Sequence, residues 1–344
     1  MKKLFLILFI GLTTTAFSQE NIKFSETILA DDLEKHLIIL ASDSLEGRET
    51  GKPGQKMAAD YIMNHFKDIG IPPYKKNTYY QKFKVKSGRH LCKCDDCDVN
   101  LVKKIFKNKK KIKGENVLGY IEGTDLKDEL IIITAHYDHL GKHDSLIFNG
   151  ADDDGSGTVA AMEIAEAFML AKKAGNGPRR SILIMPVSGE EKGLLGSKYY
   201  AENPIYPLEG TVANLNIDMI GRIGDFKDNP NYVYLIGSDM LSTDLHEISE
   251  KVNKQHIGLE LDYTFNKEDD PNRYYYRSDH YNFAKNNIPV IFYFNGLHED
   301  YHKTTDTIEK INFQKIETIA RLVFLTAWEL ANRDERIVVD KKEN

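Results

Sequence analysis

Four stretches of the chain are apolar almost without a break: ELIIITAHYDH (129–139), RRSILIMPVSGEE (179–191), LEGTVANLNIDMIG (208–221) and IPVIFYFNG (288–296). Each has strand length, and the first three run into acidic or imidazole side chains at their C-terminal ends. A strand that is apolar on both faces is one that is covered on both faces. NVLGYIEG (116–123) and NYVYLIGS (231–238) read as further strands. Between them the period changes. GTVAAMEIAEAFMLAKKAG (157–175) is apolar around most of a helix and so reads as a buried helix. PGQKMAADYIMNHFKDIG (53–70) is amphipathic, and NFQKIETIARLVFLTAWELAN (312–332) closes the chain as a helix. Apolar strands alternating with helices predict an α/β fold: a three-layer α/β/α sandwich around a mixed, mostly parallel sheet.

The N-terminal segment is set apart from that pattern. MKKLFLILFIGLTTTAFSQ has a basic start, an apolar stretch from Leu4 to Leu12 and small residues before Gln19. It reads as a signal peptide over residues 1–19, too short to span a bilayer, with cleavage near Ser18 or Gln19. No cysteine stands there to carry a lipid anchor. The expected location is therefore exported, either periplasmic or secreted. Residues 20–336 are expected to form one catalytic domain, with an irregular insert at about 80–115 and a polar tail at 337–344. No later stretch is apolar enough for stable membrane insertion. Without Lys2 and Lys3 the chain carries 44 basic against 52 acidic residues, a net charge near −8. That balance argues against nucleic acid as a partner. Cys92, Cys94 and Cys97 lie together in LCKCDDCD. In an exported protein they read as one disulfide and a spare thiol, since a structural metal knuckle would want a fourth ligand. The lysine-rich run Lys103–Glu115 reads as a solvated loop.

The chemistry is concentrated at the strand ends. In an open α/β sheet the site forms where strands finish. Here one strand ends in His136 and Asp138, the next in Glu190 and Glu191, a third in Asp218. Between the first two lies NGADDDGSG, three adjacent aspartates among glycines, and near the end comes HKTTDT. Any one of these has a plainer reading: aspartate before a helix is usually a cap, and paired glutamates usually a solvated helix start. Together they bring imidazole and carboxylate donors without thiolate, a set that suits catalytic zinc.

HYDH, GADDDGSG, GEEKGLLGS, NIDMIG and HKTTDT, in that order, resemble the secreted di-zinc aminopeptidases. These are zinc exopeptidases related to bacterial leucine aminopeptidases and to glutamate carboxypeptidases, and the resemblance covers roughly Ser25–Asn332. It implies a phosphorylase/hydrolase-like zinc-exopeptidase fold, peptide substrates and two Zn2+ per chain. It implies metal ligands at His136, Asp153, Glu191, Asp218 and His302, with Asp153 bridging. Glu190 is implied as the general base and Asp138 as the carboxylate that orients His136; Asp306 matches an acidic partner of the HKTTDT segment. Three ligand carboxylates and a bridging hydroxide would then neutralise two zinc ions. Asp152 and Asp154 are expected to cap the helix or hold the loop. Asp279 and His280 read either as outer groups of the site or as part of a helix cap, and Tyr274–Tyr276 either as pocket or as core. His139 reads as structural, His143, His246 and His256 as surface residues, and Arg48 as packing over the rim. The alternatives are a dipeptidase or carboxypeptidase on the same scaffold, a one-zinc glutaminyl cyclase, which would lack the first histidine, and a non-catalytic binding domain.

Overall fold

The computed structural model describes residues 22–75, 77–86, 111–267 and 269–341. The segment 1–19, the three cysteines and the lysine-rich run as far as Lys110 lie outside the described residues. Among the described residues, no helix is long and apolar enough to cross a membrane.

Eleven strands are described. β1 (Tyr80–Lys86) and β2 (Lys111–Val117) pair antiparallel, so both ends of the expected irregular insert are strand, and Lys111–Glu115, read as solvated loop, turns inward at Gly114 and Glu115. β5 (Gly141–His143) and β6 (Leu146–Phe148) form a small hairpin. The other seven make one sheet: β3 (Gly119–Ile121), β4 (Leu126–His136), β7 (Arg180–Val187), β8 (Thr211–Ile217), β9 (Tyr232–Ile236), β10 (Glu260–Asp262) and β11 (Val290–Phe294). Its order is β10-β9-β11-β8-β4-β7-β3. The central strands β7, β4, β8 and β11 run in one direction; β3 at one edge and β9 beside β11 run against them.

The uninterrupted apolar strands are explained by what covers them. Ile131 and Ile133 of β4 belong to a core shared with α1 (Ala30–Leu40), α2 (Pro53–Asp68), α3 (Gly157–Lys173), α5 (Thr243–Val252) and α6 (Phe313–Asn332). Leu130 and Ile132 point the other way, into a second core with Tyr200 of α4 (Leu195–Glu202) and Phe283. Helices therefore lie on both sides of the sheet, as the apolar pattern predicts. Phe168 of α3 sits 4.6 Å from Phe324 and 6.0 Å from Trp328, which joins the two longest described helices across that layer. Each such large side chain contributes roughly 1.5–3 kcal/mol of burial. Helices α1, α4 and α5 were not expected. They are short, and each keeps few buried positions: Leu33, Leu37 and Leu40 in α1, and Leu245, Ile248 and Val252 in α5. The C-terminal tail also departs from expectation. Ile337 is buried, and Asp340 accepts from Thr243 N at 2.9 Å, so the chain is docked against the start of α5.

The topology fixes where a site can form. From β4 the chain crosses through α3 to β7 on one side, then returns to β8 on the other. The carboxyl end of β4 is thus a topological switch point, where adjacent connections part and leave a crevice.

Away from that crevice, His65 of α2 lies 4.7 Å from the His36 ring, with Nε2 3.3 Å from Met162 O. Burial, with His36 adding to it, lowers its pKa to about 4. An unfolded histidine takes up its proton near pH 6.5, whereas the folded one resists until about pH 4. The neutral ring therefore contributes stability above pH 6.5 that is lost as the pH falls toward 4, in total on the order of 3 kcal/mol. We expect His65→Gln to flatten the decline of the urea midpoint between pH 6.5 and 4 relative to the wild-type chain.

Candidate metal centre

The loop after β4 carries the three aspartates, and each carboxylate serves a different neighbour. Asp154 Oδ2 accepts from His136 N at 3.0 Å, while its Oδ1 accepts from Gly157 N at 2.9 Å and Met219 N at 3.1 Å. It thus caps α3 and ties the ends of β4 and β8 together. Asp152 Oδ1 accepts from Gly221 N at 2.6 Å, and its Oδ2 stands 3.1 Å from His298 Nε2. Asp306 accepts the main-chain N–H groups of both Asp152 and Asp153 at 3.1 Å. The Asp153–Asp154 peptide is cis. Asp153 itself is left facing two imidazoles.

Its Oδ1 lies 3.2 Å from His136 Nε2, which is also 3.5 Å from Asp218 Oδ1. Its Oδ2 lies 3.1 Å from His302 Nε2, which is also 3.4 Å from Glu191 Oε2. Two trios therefore share one carboxylate: His136, Asp153 and Asp218, then Asp153, Glu191 and His302. The five residues expected as ligands are brought together from the last residue of β4, from beyond the ends of β7, β8 and β11, and from the loop between β6 and α3. The separations fit zinc. Donors about 2.0–2.1 Å from a tetrahedral ion stand roughly 3.3 Å from one another. Asp153 Oδ2 is buried without a hydrogen-bond partner among the described residues, a cost that a cation would offset.

The charges are arranged to match. Burial alone would raise the carboxyl pKa of Asp153, but the nearby His139, His136 and His302 rings hold it well below the usual range. Glu191 likewise stays ionised, held down to about 2 by His302 against the effect of burial. Glu190 is the contrast. Burial, together with Glu191 and Asp218, pushes its carboxyl well above the usual value. Its Oε2 lies 3.9 Å from His136 Nε2, farther than any ligand pair.

Asp138 does not take the role expected of it. The Nδ1 atom of His136 faces the main-chain O of Asp138 at 3.0 Å, and the carboxylate oxygen nearest that nitrogen is 4.0 Å away. That carboxylate instead accepts from Gly189 N at 2.7 Å and Glu190 N at 3.2 Å, and from the Thr50 hydroxyl. It fixes the turn that separates the two glutamates, because main-chain N–H donors come nearer to it than the ring does. Ser278, beside the two residues read as outer groups or cap, faces a ligand carboxylate instead. Its hydroxyl donates to Asp218 Oδ2 at 2.6 Å, which leaves Oδ1 toward His136. Asp279 bonds Ser197, and His280 stacks on Phe292, so neither joins a trio. Tyr301 stacks on the His302 ring at 3.8 Å. Tyr274 lines the adjoining cleft, while Tyr275 is core. His143 packs on Phe148, and His246 contacts Ser238 and Tyr263. Met219 and His302 hold positive φ, a conformation that non-glycine residues keep only where the surroundings impose it.

Sequence reasoning understated Arg48. Its fully buried guanidinium donates to Leu40 O and Asn149 O at 2.6 Å, and to Tyr137 O and Gly150 O at 2.8 Å. It fastens the ligand turn of β4 to the strand leading into the aspartates. The signal available was an arginine inside LEGRETG, a context that says nothing about which carbonyls it will meet.

Comparison with known proteins gives the family. The sequence profile described as "Peptidase family M28" matches residues 116–327, and the chain belongs to that family. A probable leucine aminopeptidase of Arthroderma otae is 28% identical over 289 residues, 80% of this chain and 74% of its own length. A probable glutamate carboxypeptidase of Arthroderma benhamiae is 37% identical over 118 residues, which is 33% of this chain but only 15% of that protein. The chain thus spans a small part of the carboxypeptidase it matches. Among solved structures, the LapA aminopeptidase of Legionella pneumophila shares the fold, with a TM-score of 0.69, 24% identity, and coverage of 92% of this chain and 75% of that one.

Replacing Arg48 removes the side-chain donor from four buried carbonyls; Gly150 O keeps Gly155 N at 3.2 Å, and the carbonyls of Leu40, Tyr137 and Asn149 lose most, at about 1–3 kcal/mol each when unsatisfied. We expect Arg48→Met to lower unfolding free energy by at least about 3 kcal/mol in urea titrations, and Arg48→Lys to recover only part, since an ammonium cannot reproduce the planar fork.

Proposed function

We propose that the protein is a zinc-dependent aminopeptidase that releases N-terminal residues from peptides, with two zinc ions per chain. The observation that carries this reading is the spacing of the two trios about Asp153, with Glu190 beside them and outside both. Zinc at the two positions would supply Lewis acidity to the scissile carbonyl and lower the pKa of the attacking water. The protein's own groups supply the rest. His136 and Asp218 hold one position, Glu191 and His302 the other, and Asp153 joins them. Asp138 holds the backbone of Glu190 so that its carboxyl stays free of ligation. Buried and raised in pKa, Glu190 is suited to take the water's proton and deliver it to the leaving amine. Met219, Phe292, Phe294 and Leu297 line the adjoining cleft and offer an apolar wall to the substrate side chain. The proposed setting is export, on the strength of the apolar segment 1–19.

A second reading, dipeptidase or carboxypeptidase, draws on Arg277. Its guanidinium lines the cleft and lies 5.0 Å from the Tyr274 ring, where it could receive a free carboxylate.

The deciding experiment compares aminoacyl-p-nitroanilides, free dipeptides and N-capped peptides, with metal content measured on the same sample. Aminopeptidase activity predicts cleavage of the anilides, loss with chelator, and no cleavage after N-capping. Cleavage of N-capped peptides alone overturns it. Glu190→Gln is expected to keep both zinc equivalents while turnover falls roughly a hundred- to ten-thousand-fold. Asp153→Asn is expected to lose metal as well. Stripping of zinc by Glu190→Gln would reverse the roles of the paired glutamates.

A further inference from the structure

His139 is fully buried at the second position, where its ring, Asp153 and Glu191 lie near enough to one another to hold a metal ion. Its Nδ1 stands 2.8 Å from Glu191 Oε1 and 3.7 Å from Asp153 Oδ2, and its ring lies edge-on to His302 with centroids 5.9 Å apart. The ligand pairs of the two trios are 3.1–3.5 Å apart, close to the roughly 3.3 Å edge of a tetrahedral zinc site. Against that scale His139 sits unevenly, at 2.8 Å from Glu191 and 3.7 Å from Asp153, whereas His302 stands 3.4 and 3.1 Å from the same two carboxylates and is the better fit to the cation. A nitrogen lone pair and a carboxylate oxygen would repel at 2.8 Å; a proton between them turns the approach into attraction. The contact is short but not aligned as a regular hydrogen bond, and Nε2 has no hydrogen-bond partner among the described residues.

The ring's seat is shaped by the loop. Gly150 has φ +57°, and a Cβ there would come within 2.5 Å of the His139 ring. The glycine of NGADDD is thus the space in which the imidazole lies. Glu191 has two oxygens: Oε2 faces His302 Nε2 at 3.4 Å, and Oε1 faces His139.

We propose that His139 is a positioning residue of the second cation position: its Nδ1–H holds Glu191 Oε1, so that Oε2 alone is presented beside His302 and Asp153. A ligand carboxylate restrained in this way loses less freedom on binding metal, and such outer partners typically contribute ten- to a hundredfold in metal affinity. The inference rests on the two-cation reading of the site, not on the peptides it cleaves.

The test uses metal binding. The full-length protein, stripped with chelator, is titrated with Zn2+ against a chromophoric competitor, and the step abolished by Glu191→Gln is assigned to the second position. Asparagine places an amide N–H near the imidazole Nδ1, whereas leucine fills the same space without a donor. His139→Leu is expected to weaken the second step ten- to a hundredfold and leave the first unchanged. His139→Asn is expected to keep the second step within about threefold of wild type, on the same scale. X-ray absorption of the loaded wild type should count two imidazoles over both positions. The proposal is overturned if leucine leaves the second step intact, if both steps weaken in parallel, or if a third imidazole is found. Should His139→Leu fail to fold, His139→Asn decides: a tenfold loss in that variant also overturns it. Wild-type protein that takes up only one zinc defeats the two-cation reading instead.

Discussion

One carboxylate, Asp153, has to face two imidazoles at once, and much of the surrounding architecture serves to hold its main chain still. Three adjacent carboxylates would repel one another in a dry loop. Here each is matched in a different direction: Asp152 to Gly221 and His298, Asp154 to three main-chain donors, Asp153 to His136 and His302. Asp306 then accepts two N–H groups of the loop from beneath, and Arg48 gathers carbonyls from both sides of it. The repulsion is turned into a fixed geometry because every oxygen but those of Asp153 is engaged by the protein.

The sheet supplies the other half of the constraint. Loops at the ends of four co-directed strands can meet at one rim only if their connections part at β4, which this order provides. That is why donors separated by more than 160 positions, from His136 to His302, arrive within a few ångströms. Fold and chemistry are joined at that point: the same apolar runs that bury both faces of the sheet set how far each ligand projects.

Much of this was readable in the sequence. The long apolar strands, the buried helix after the aspartates and the closing helix carry strong periodic signals, and the motifs fall at their ends. His136, Asp153, Glu191, Asp218, His302 and Glu190 were singled out by the motifs that resemble a family, and the structure brings these side chains together at one rim. What was not readable depends on approach between distant segments. Asp138 was assigned to a ring it does not hold, since the nearness of Gly189 N is a matter of tertiary distance. Ser278, His139 and Arg48 acquire their partners the same way. Helices α1 and α5 were missed because only one narrow stripe of each is buried.

The Arg48 clasp has a bearing on motion. The guanidinium joins the carbonyl of Leu40, at the end of α1, to those of Asn149 and Gly150, just ahead of the aspartates. Residues 41–52 therefore belong to the same cooperative unit as the loop that supports the cations, although they contribute no ligand. Local opening of this N-terminal strap, of the kind that hydrogen exchange detects, must release the loop with it. How long the protein would retain bound metal is then governed partly by how rarely that strap detaches.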